Sequence, residues 1–289
     1  MAGPVLPPER EGSPTPADLT ARRKSIAAMI AAQQAPLAVT PQQAVLGGIS
    51  VLRFRPEGAH EGALVHFHGG GFRVGSPHAQ APYHAALAEA CRVEIIVPWY
   101  RLAPEHPFPA ALVDALTVVS ALRGTIGEAP LIVAGDSAGG GLAAGVGILA
   151  QHGEPRIDGI LLHSPWLDLS VTAPAFTDNT ASDPLFSQTS AEIAAESYLQ
   201  GIDARHPLAS PLFAGIDRFP PSLITVGTGE VLRDDSIRFH EKLRAADMTS
   251  ELLAIDDMEH CAVTRSMELV GAIETFARSI AFVAAVRSG

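Results

Sequence analysis

Residues 131–147 read LIVAGDSAGGGLAAGVG, an apolar run followed by a serine set among small residues. The pattern predicts a buried strand over 131–134, a sharp turn at Ser137 and a helix of small residues. The turn fits G-x-S-x-G, in which glycines two residues from the serine leave room for a strained backbone. The N-terminus of the helix offers free N–H groups that favour developing negative charge. The same five-residue pattern also occurs in ordinary loops, so the rest of the chain has to decide.

Apolar runs alternate with helical patterns on both sides of this turn. Strands are predicted over 45–56 (antiparallel), 63–67, 93–98, 157–163, 222–227 and 251–255. Helices are predicted over 82–91, 109–123, 234–246 and 266–286. Repeated strand–helix units imply an α/β fold with a mostly parallel central sheet flanked by helices. A chain of 289 residues suits a single α/β domain over 1–289.

Two regions do not follow this alternation. A helical pattern runs from Asp18 to about Ala35 and ends before Pro36. From 164 to about 216 the apolar periodicity breaks up, apart from a short predicted helix over 191–199. A connection of about fifty residues is too long for an ordinary loop, so we expect it to form a lid or cap. From the residues alone, the first helix could belong to that cap or lie at the periphery.

Composition limits the class of partner and the compartment. The net charge is −11 without a basic cluster, which argues against nucleic acid and against stable association with an anionic membrane. The two cysteines are too few for a disulfide framework. The N-terminal residues lack the pattern of a signal peptide, and no apolar segment reaches membrane-spanning length. We therefore expect a cytoplasmic protein. Of the two cysteines, Cys261 is expected to fill the core rather than to act as a nucleophile.

A second glycine cluster follows the strand predicted at 63–67. It reads His68-Gly69-Gly70-Gly71-Phe72, and its glycines leave backbone N–H groups unshielded by side chains. Such a loop can approach a substrate oxygen closely and stabilise negative charge on it. His66 and His68 could suggest a metal pair, but no third ligand follows at a suitable spacing. We expect no metal site.

Polar candidates for catalysis follow three of the predicted strands. In open α/β sheets, functional groups collect at the carboxyl ends of the strands. Ser137, an acid after the strand 222–227, and His260 after the last strand occur in the order Ser–acid–His. Glu230 comes first after its strand and is favoured as the acid. Asp234 remains an alternative, although Asp234 and its neighbour could simply cap a helix.

Neighbouring residues compete with these assignments. Glu259 adjoins His260, but adjacent residues rarely point at each other productively, so we discount it. His240 also follows the acid strand, but it falls within a predicted helix, whereas His260 occupies a strand-to-helix loop. Asp136 beside the serine is expected to order the turn through hydrogen bonds.

Taken together, these motifs resemble the hormone-sensitive-lipase-like, or bacterial family IV, esterases of the α/β-hydrolase superfamily. The resemblance runs from the N-terminal helix to the C-terminal helix. It rests on His68–Phe72, Tyr100–Glu105 with Phe108-Pro109-Ala110, Gly135–Gly140, Ser164–Asp168, Ser210-Pro211-Leu212 and His260. The family's acid usually heads a D-P-L-x-D motif, which here reads Glu230-Val231-Leu232-Arg233-Asp234. The departure places a glutamate in the acid position, which such triads tolerate.

The resemblance implies a site and an activity. The catalytic residues would be Ser137, Glu230 and His260, and the N–H groups of Gly70, Gly71 and Ala138 would form the oxyanion hole. It further implies a helical cap from about 1–40 and about 166–216, no cofactor, and often a homodimer through the last strand and the helix near it.

The expected substrates are small-molecule esters with short- to medium-chain acyl groups. Amide hydrolysis and acyl transfer would use the same residues. A non-catalytic binding protein on this fold would be expected to lose a triad residue, and Ser137 and His260 are both present.

Overall fold

The computed structural model describes residues 3–32, 36–153 and 155–289. Its central sheet has the strand order β1-β2-β4-β3-β5-β6-β7-β8. The strands are β1 (Gln42–Leu46), β2 (Ile49–Phe54), β3 (Ala63–Phe67), β4 (Glu94–Pro98), β5 (Leu131–Asp136), β6 (Gly159–His163), β7 (Ser222–Gly227) and β8 (Ser250–Ile255). Only the pairs of β2 with β1 and with β4 are antiparallel within the described residues. The predicted α/β class with a mostly parallel sheet is confirmed.

Helices cover both faces of this sheet. They are α1 (Ala17–Ala32), α2 (Ala81–Cys91), α3 (Ala110–Ile126), α4 (Ala138–Ala150), α5 (Ala175–Asp178), α6 (Gln188–Leu199), α7 (Arg233–Ala245), α8 (Ala262–Arg265) and α9 (Ala272–Ser288). Helix α4 is buried from Ala138 to Ile148, which explains why it contains glycine, alanine and aliphatic residues with no polar face. It lies against strands β5 and β6 and carries the serine turn at its start.

Two element predictions were wrong. The single antiparallel strand predicted over 45–56 is a hairpin, because Gly47 and Gly48 adopt φ of 57° and 84° and reverse the chain. Positive φ at both central residues suits a two-residue hairpin turn. The closing helix predicted from 266 begins at Ala272, after Gly271 at φ 76°, and the short α8 precedes it. The last residues predicted for the first helix, 33–35, lie outside the described residues.

The two irregular regions both contact loops at the carboxyl end of the sheet. In α6, Tyr198 stacks on Phe72, with ring centroids 3.8 Å apart and an interplanar angle of 5°. In α1, Arg23 donates hydrogen bonds to the carbonyl oxygens of Arg73 and Ala103, each at 2.8 Å, and pairs with Glu105. Both segments are therefore anchored to the loops that follow β3 and β4.

The other side of the sheet ends in an edge strand. Strand β8 pairs with β7 alone among the described strands. The homodimer contact that the resemblance implies for this strand stays a prediction. No helix within the described ranges combines the length and the apolar character needed to cross a bilayer.

Candidate active site

Ser137 occupies the turn between β5 and α4 in a strained backbone conformation. Its φ of 53° and ψ of −122° lie in a region that residues with a side chain rarely adopt, at a cost of about 1–3 kcal/mol. Its N–H donates to the carbonyl oxygen of His163 at 2.9 Å, which ties the turn to β6. Gly139 lets the helix start close to the sheet, since a Cβ there would lie 1.9 Å from the carbonyl oxygen of Phe67. The structure thus confirms the predicted strand–turn–helix.

The glycine loop after β3 folds against this turn. The Gly69 N–H donates to Asp136 Oδ1 at 3.0 Å. Gly70 has φ 124°, and a Cβ on it would lie 2.1 Å from the carbonyl oxygen of Val74, so the loop requires glycine there. Among the described residues, no acceptor takes the N–H of Gly70 or Gly71. The N–H groups of Gly70 and Gly71 are therefore free to donate to a ligand, whereas the N–H group of Gly69 is already donated to Asp136.

His260 and Glu230 are joined directly. The Nδ1 atom of His260 lies 2.7 Å from Glu230 Oε2. The other carboxylate oxygen, Oε1, accepts from the Gly227 N–H at 2.5 Å and from Ser164 Oγ at 2.8 Å. The carboxylate is buried at 1% exposure, and these hydrogen bonds fix its orientation. The pair therefore links the carboxyl ends of β7 and β8 next to the serine turn.

Burial is the largest single influence on the pKa of His260, and it opposes the charged imidazolium. The hydrogen bond and negative charge of Glu230, with the charges of Asp183 and Asp136, outweigh it and raise this pKa above its ordinary value. The ring of Phe186 stacks on the imidazole, with centroids 5.9 Å apart and an angle of 16°. A stabilised imidazolium is what a general base needs after it has taken a proton.

The other acids considered from the sequence have different partners. Asp234 Oδ2 accepts from the Ala175 N–H at 2.9 Å, and its Oδ1 pairs with Arg233. Glu259 pairs with Arg265 at 2.8 Å. Of the acids weighed from sequence, Glu230 is the one whose carboxylate contacts His260.

A cavity of about 420 Å³ opens at this end of the sheet. Ser137, His260, Gly70 and Gly71 border it, together with residues from α1 and from the long segment between β6 and β7. Those residues are Arg22, Ile26, Leu185, Phe186 and Ser190. Ala138 lies directly behind Ser137 as the first residue of α4. The structure therefore brings together the residues predicted from three strand ends and the glycine loop.

Asp136 lies beneath the serine turn. Its carboxylate accepts from the Gly69 N–H and from Gln80 Nε2, at 3.0 and 2.8 Å. Burial raises its pKa to about 6, although Gln80, His260 and the Gly69 N–H each act in the opposite direction. The side chain was expected to order the serine turn, but its hydrogen bonds hold the glycine loop and Gln80 instead.

The histidines that suggested a metal pair have separate environments. His66 Nδ1 lies 3.1 Å from His84 Nε2 in the core, and burial lowers the pKa of both imidazoles. His68 stacks on Tyr100 with centroids 4.4 Å apart, and burial lowers its pKa to about 4. Within the part of the chain that the structure describes, no group of three His, Cys, Asp or Glu side chains could hold a metal ion.

Cys261 is buried, as predicted, but it also borders the cavity. Its Sγ lies 3.5 Å from His260 Nε2. Burial, with the charges of Asp136 and Glu230, raises the pKa of this thiol well above its usual range. The thiol is therefore protonated near neutral pH and is a weak nucleophile.

Sequence reasoning missed several residues that support the site. Ser164 bridges it, since its hydroxyl donates to Glu230 and accepts from the Cys261 N–H at 3.1 Å. Asp183 accepts from the Val231 N–H at 3.0 Å and adds negative charge near His260. Ser164 falls within a motif quoted above, but its role depends on a φ of 45° that no sequence pattern reveals. Asp183 lies in the irregular segment, which gives no periodic signal.

Comparisons with known proteins show the family to which the chain belongs. A family model described as the alpha/beta hydrolase fold matches residues 64–264. An esterase of Acinetobacter venetianus is 35% identical over 207 residues, covering 70% of this chain and 68% of its own length. An acetyl-hydrolase of Streptomyces hygroscopicus is 38% identical over 185 residues, covering 63% of this chain and 62% of its own length.

A solved structure extends the similarity to nearly the whole chain. A hormone-sensitive lipase from a metagenome library superimposes with a TM-score of 0.89 at 31% identity, covering 95% of this chain and 93% of that one. An esterase from the bacterial hormone-sensitive lipase family gives a TM-score of 0.88 at 28% identity, covering 96% and 94%. The chain belongs to the α/β-hydrolase family, in the hormone-sensitive-lipase-like branch that its motifs predicted.

Proposed function

We propose that this protein is a carboxylesterase that hydrolyses small-molecule esters with short- to medium-chain acyl groups through an acyl-enzyme on Ser137. The observation that carries the proposal is the 2.7 Å contact between His260 Nδ1 and Glu230 Oε2, beside the cavity that Ser137 borders. Two of the relatives described above, an esterase and an acetyl-hydrolase, support a hydrolytic reaction of the same kind.

The first half of the reaction forms the acyl-enzyme. His260 Nε2 removes the proton from Ser137 Oγ while that oxygen attacks the ester carbonyl carbon. Glu230 holds the proton on Nδ1, so that Nε2 carries the lone pair, and it stabilises the imidazolium that forms. The imidazolium then gives its proton to the departing alcohol oxygen as the tetrahedral intermediate collapses.

Backbone N–H groups stabilise the oxyanion of that intermediate. We assign this role to Gly70, Gly71 and Ala138, since the Gly69 N–H is already donated to Asp136. The start of α4 adds the partial positive charge of a helix N-terminus. One such donor is typically worth about 10²–10³-fold in turnover.

The second half releases the acid. Water takes the place of the alcohol, His260 removes its proton, and attack on the acyl carbonyl gives a second oxyanion in the same hole. Collapse of this intermediate returns the proton to Ser137 and frees the carboxylic acid. No cofactor or metal ion takes part in either half.

A cap over the cavity sets the acyl length in this proposal. We assign it to about 1–40 and about 166–216 of a single domain over 1–289. Support comes from α1 and from Leu185, Phe186 and Ser190, which border the cavity together with Ser137. A cavity of about 420 Å³ suits an acyl chain of a few carbons with its alcohol better than a long lipid chain.

The test is a series of initial rates on 4-nitrophenyl esters of increasing acyl length. The proposal expects the highest kcat/KM for short to medium chains, and loss of nearly all activity in Ser137→Ala. Cys261→Ala serves as the matched control, because it removes the other nucleophile beside His260. If wild type were no faster than Ser137→Ala on every ester, the proposal would fail.

A further inference from the structure

The wall of the cavity beside Ser137 carries an excess of positive charge. Three arginines are among its lining residues, Arg22, Arg73 and Arg265. Within the described residues, Asp136 supplies the one carboxylate in the same lining. This local excess occurs in a chain whose net charge is −11, so it does not follow from the overall composition.

Arg73 follows the glycine loop directly. Its N–H donates to the carbonyl oxygen of Gly70 at 3.1 Å, so the residue belongs to the turn that forms the loop. The side chain is half-buried, and its Nε is enclosed without a hydrogen-bond partner among the described residues. Burial lowers the pKa of its guanidinium, the charge of Arg22 lowers it further, and Asp18 opposes both.

No carboxylate of the described residues forms an ion pair with Arg73, although the charge of Asp18 acts on it. Arg265 is paired with Glu259 at 2.8 Å and also donates to the His260 carbonyl oxygen. The oxygens of Asp136 are already held by the Gly69 N–H and by Gln80. Among the described residues, neither Arg22 nor Arg73 has a carboxylate within ion-pair distance.

Arg22 is exposed and Arg73 is half-buried, and the repulsion between these two like charges is relieved when an anion binds to both. The planar guanidinium offers paired N–H donors that match both oxygens of a carboxylate. We propose that the cavity takes esters that carry a carboxylate in addition to the ester group, and that Arg22 and Arg73 bind it. This inference rests on the proposed esterase function and specifies its substrate class.

The test uses pairs of esters that differ only in charge. On the alcohol side, 4-acetoxybenzoate is compared with 4-acetoxybenzamide. On the acyl side, monoethyl glutarate is compared with ethyl 4-carbamoylbutanoate. Each pair is isosteric, because an amide replaces the carboxylate, and acid release in a pH-stat measures all four substrates. The two pairs separate a carboxylate on the alcohol from one on the acyl chain.

We expect wild type to favour the anion of at least one pair by about tenfold in kcat/KM, the size of one charge-assisted hydrogen bond. The preference should fall to about unity in Arg73→Gln, fall partly in Arg22→Gln, and return in part in Arg73→Lys. It should also weaken with added salt, because charge attraction at a partly exposed site is screened. Lys24→Gln is the matched control on α1, since Lys24 is exposed and does not border the cavity.

Two results would overturn the inference. One is a wild-type preference for the neutral ester, or none, in both pairs. The other is an equal fall in kcat/KM for the charged and the neutral ester of a pair in Arg73→Gln, which would mean that the arginine only supports the loop. If the protein hydrolysed none of the four esters and none of the 4-nitrophenyl series, the esterase proposal itself would fail. If wild type hydrolysed the neutral esters but showed no preference for the charged ones, this inference alone would fail.

Discussion

Replacing Glu230 by glutamine tests the assignment of the acid with little change in shape. The oxygen of the amide can still accept from the Gly227 N–H and from Ser164, which hold Oε1 at 2.5 and 2.8 Å. The amide nitrogen then takes the place of Oε2, 2.7 Å from His260 Nδ1. Because that nitrogen is a donor, the imidazole must turn its lone pair toward it and carry its proton on Nε2.

The consequence for catalysis is large. An imidazole protonated on Nε2 cannot take the proton of Ser137, and the imidazolium loses its negative partner. A triad acid replaced by its amide typically costs about 10⁴-fold in kcat, or about 5.4 kcal/mol. The fold should survive, since two of the three contacts of Glu230 remain and we expect a loss in unfolding free energy of about 1–2 kcal/mol.

Asp234→Asn is the matched control. Its carboxamide oxygen can still accept from the Ala175 N–H, and only a partly exposed pair with Arg233 is lost. Such a pair is worth about 1 kcal/mol or less, so kcat should stay within about twofold. Steady-state rates on a short-chain 4-nitrophenyl ester, with circular dichroism to verify folding, measure both variants. A folded Glu230→Gln with normal kcat, or a collapse in Asp234→Asn, would refute the reasoning.

Three further predictions concern backbone, pH and an ion pair. Gly139→Ala should unfold or inactivate the protein, because its Cβ would lie 1.9 Å from a backbone carbonyl oxygen of β3. The control Gly124→Ala, which has open space around it in α3, should keep or raise the melting temperature. Equal melting temperatures and activities of the two variants would contradict this prediction. The kcat/KM should fall as the pH drops through the pKa of His260, because the imidazole must be neutral to act as the base. This pKa is raised above its ordinary value of about 6.5. A pH profile whose acid limb lies clearly below that value would contradict the upward direction of the shift. Asp114→Asn should lower the free energy of unfolding in urea by about 2 kcal/mol, because it weakens the bidentate contact of the buried carboxylate with Arg101. An unchanged free energy of unfolding would show that this ion pair does not stabilise the fold.

Sequence patterns predicted those parts of the fold that depend on local and periodic signals. The parallel strands, the turn at Ser137 and the helices between the strands, except the short α5, were predicted, because burial on both faces gives short apolar runs. The hairpin at Gly47-Gly48 was predicted as one strand, since two glycines in an alternating run do not separate a turn from a bulge. The start of α9 was placed too early, because the residues before Gly271 keep a helical composition.

The candidate site was predicted as a set of strand ends but not as a network. Chain order pointed to Glu230 and His260 yet left Asp234 open, since the sequence does not tell which of two carboxylates four positions apart turns toward a loop. The supporting hydrogen bonds of Ser164 connect residues 66 and 97 positions away in the chain. The positive charge of the cavity was also missed, because Arg22 and Arg73 meet only when α1 packs beside the glycine loop. Contacts of this kind depend on tertiary packing.

The central claim is that Ser137 carries the acyl group, and it can be tested directly by locating that group. The protein would be mixed with 4-nitrophenyl butyrate, quenched in acid during turnover, digested and analysed by mass spectrometry. We expect a butyryl group on the peptide that contains Ser137, absent from Ser137→Ala and retained in Cys261→Ala. A butyryl group on Cys261, whose sulfur lies 3.5 Å from His260 Nε2, or none on Ser137 under conditions of measurable turnover, would contradict it.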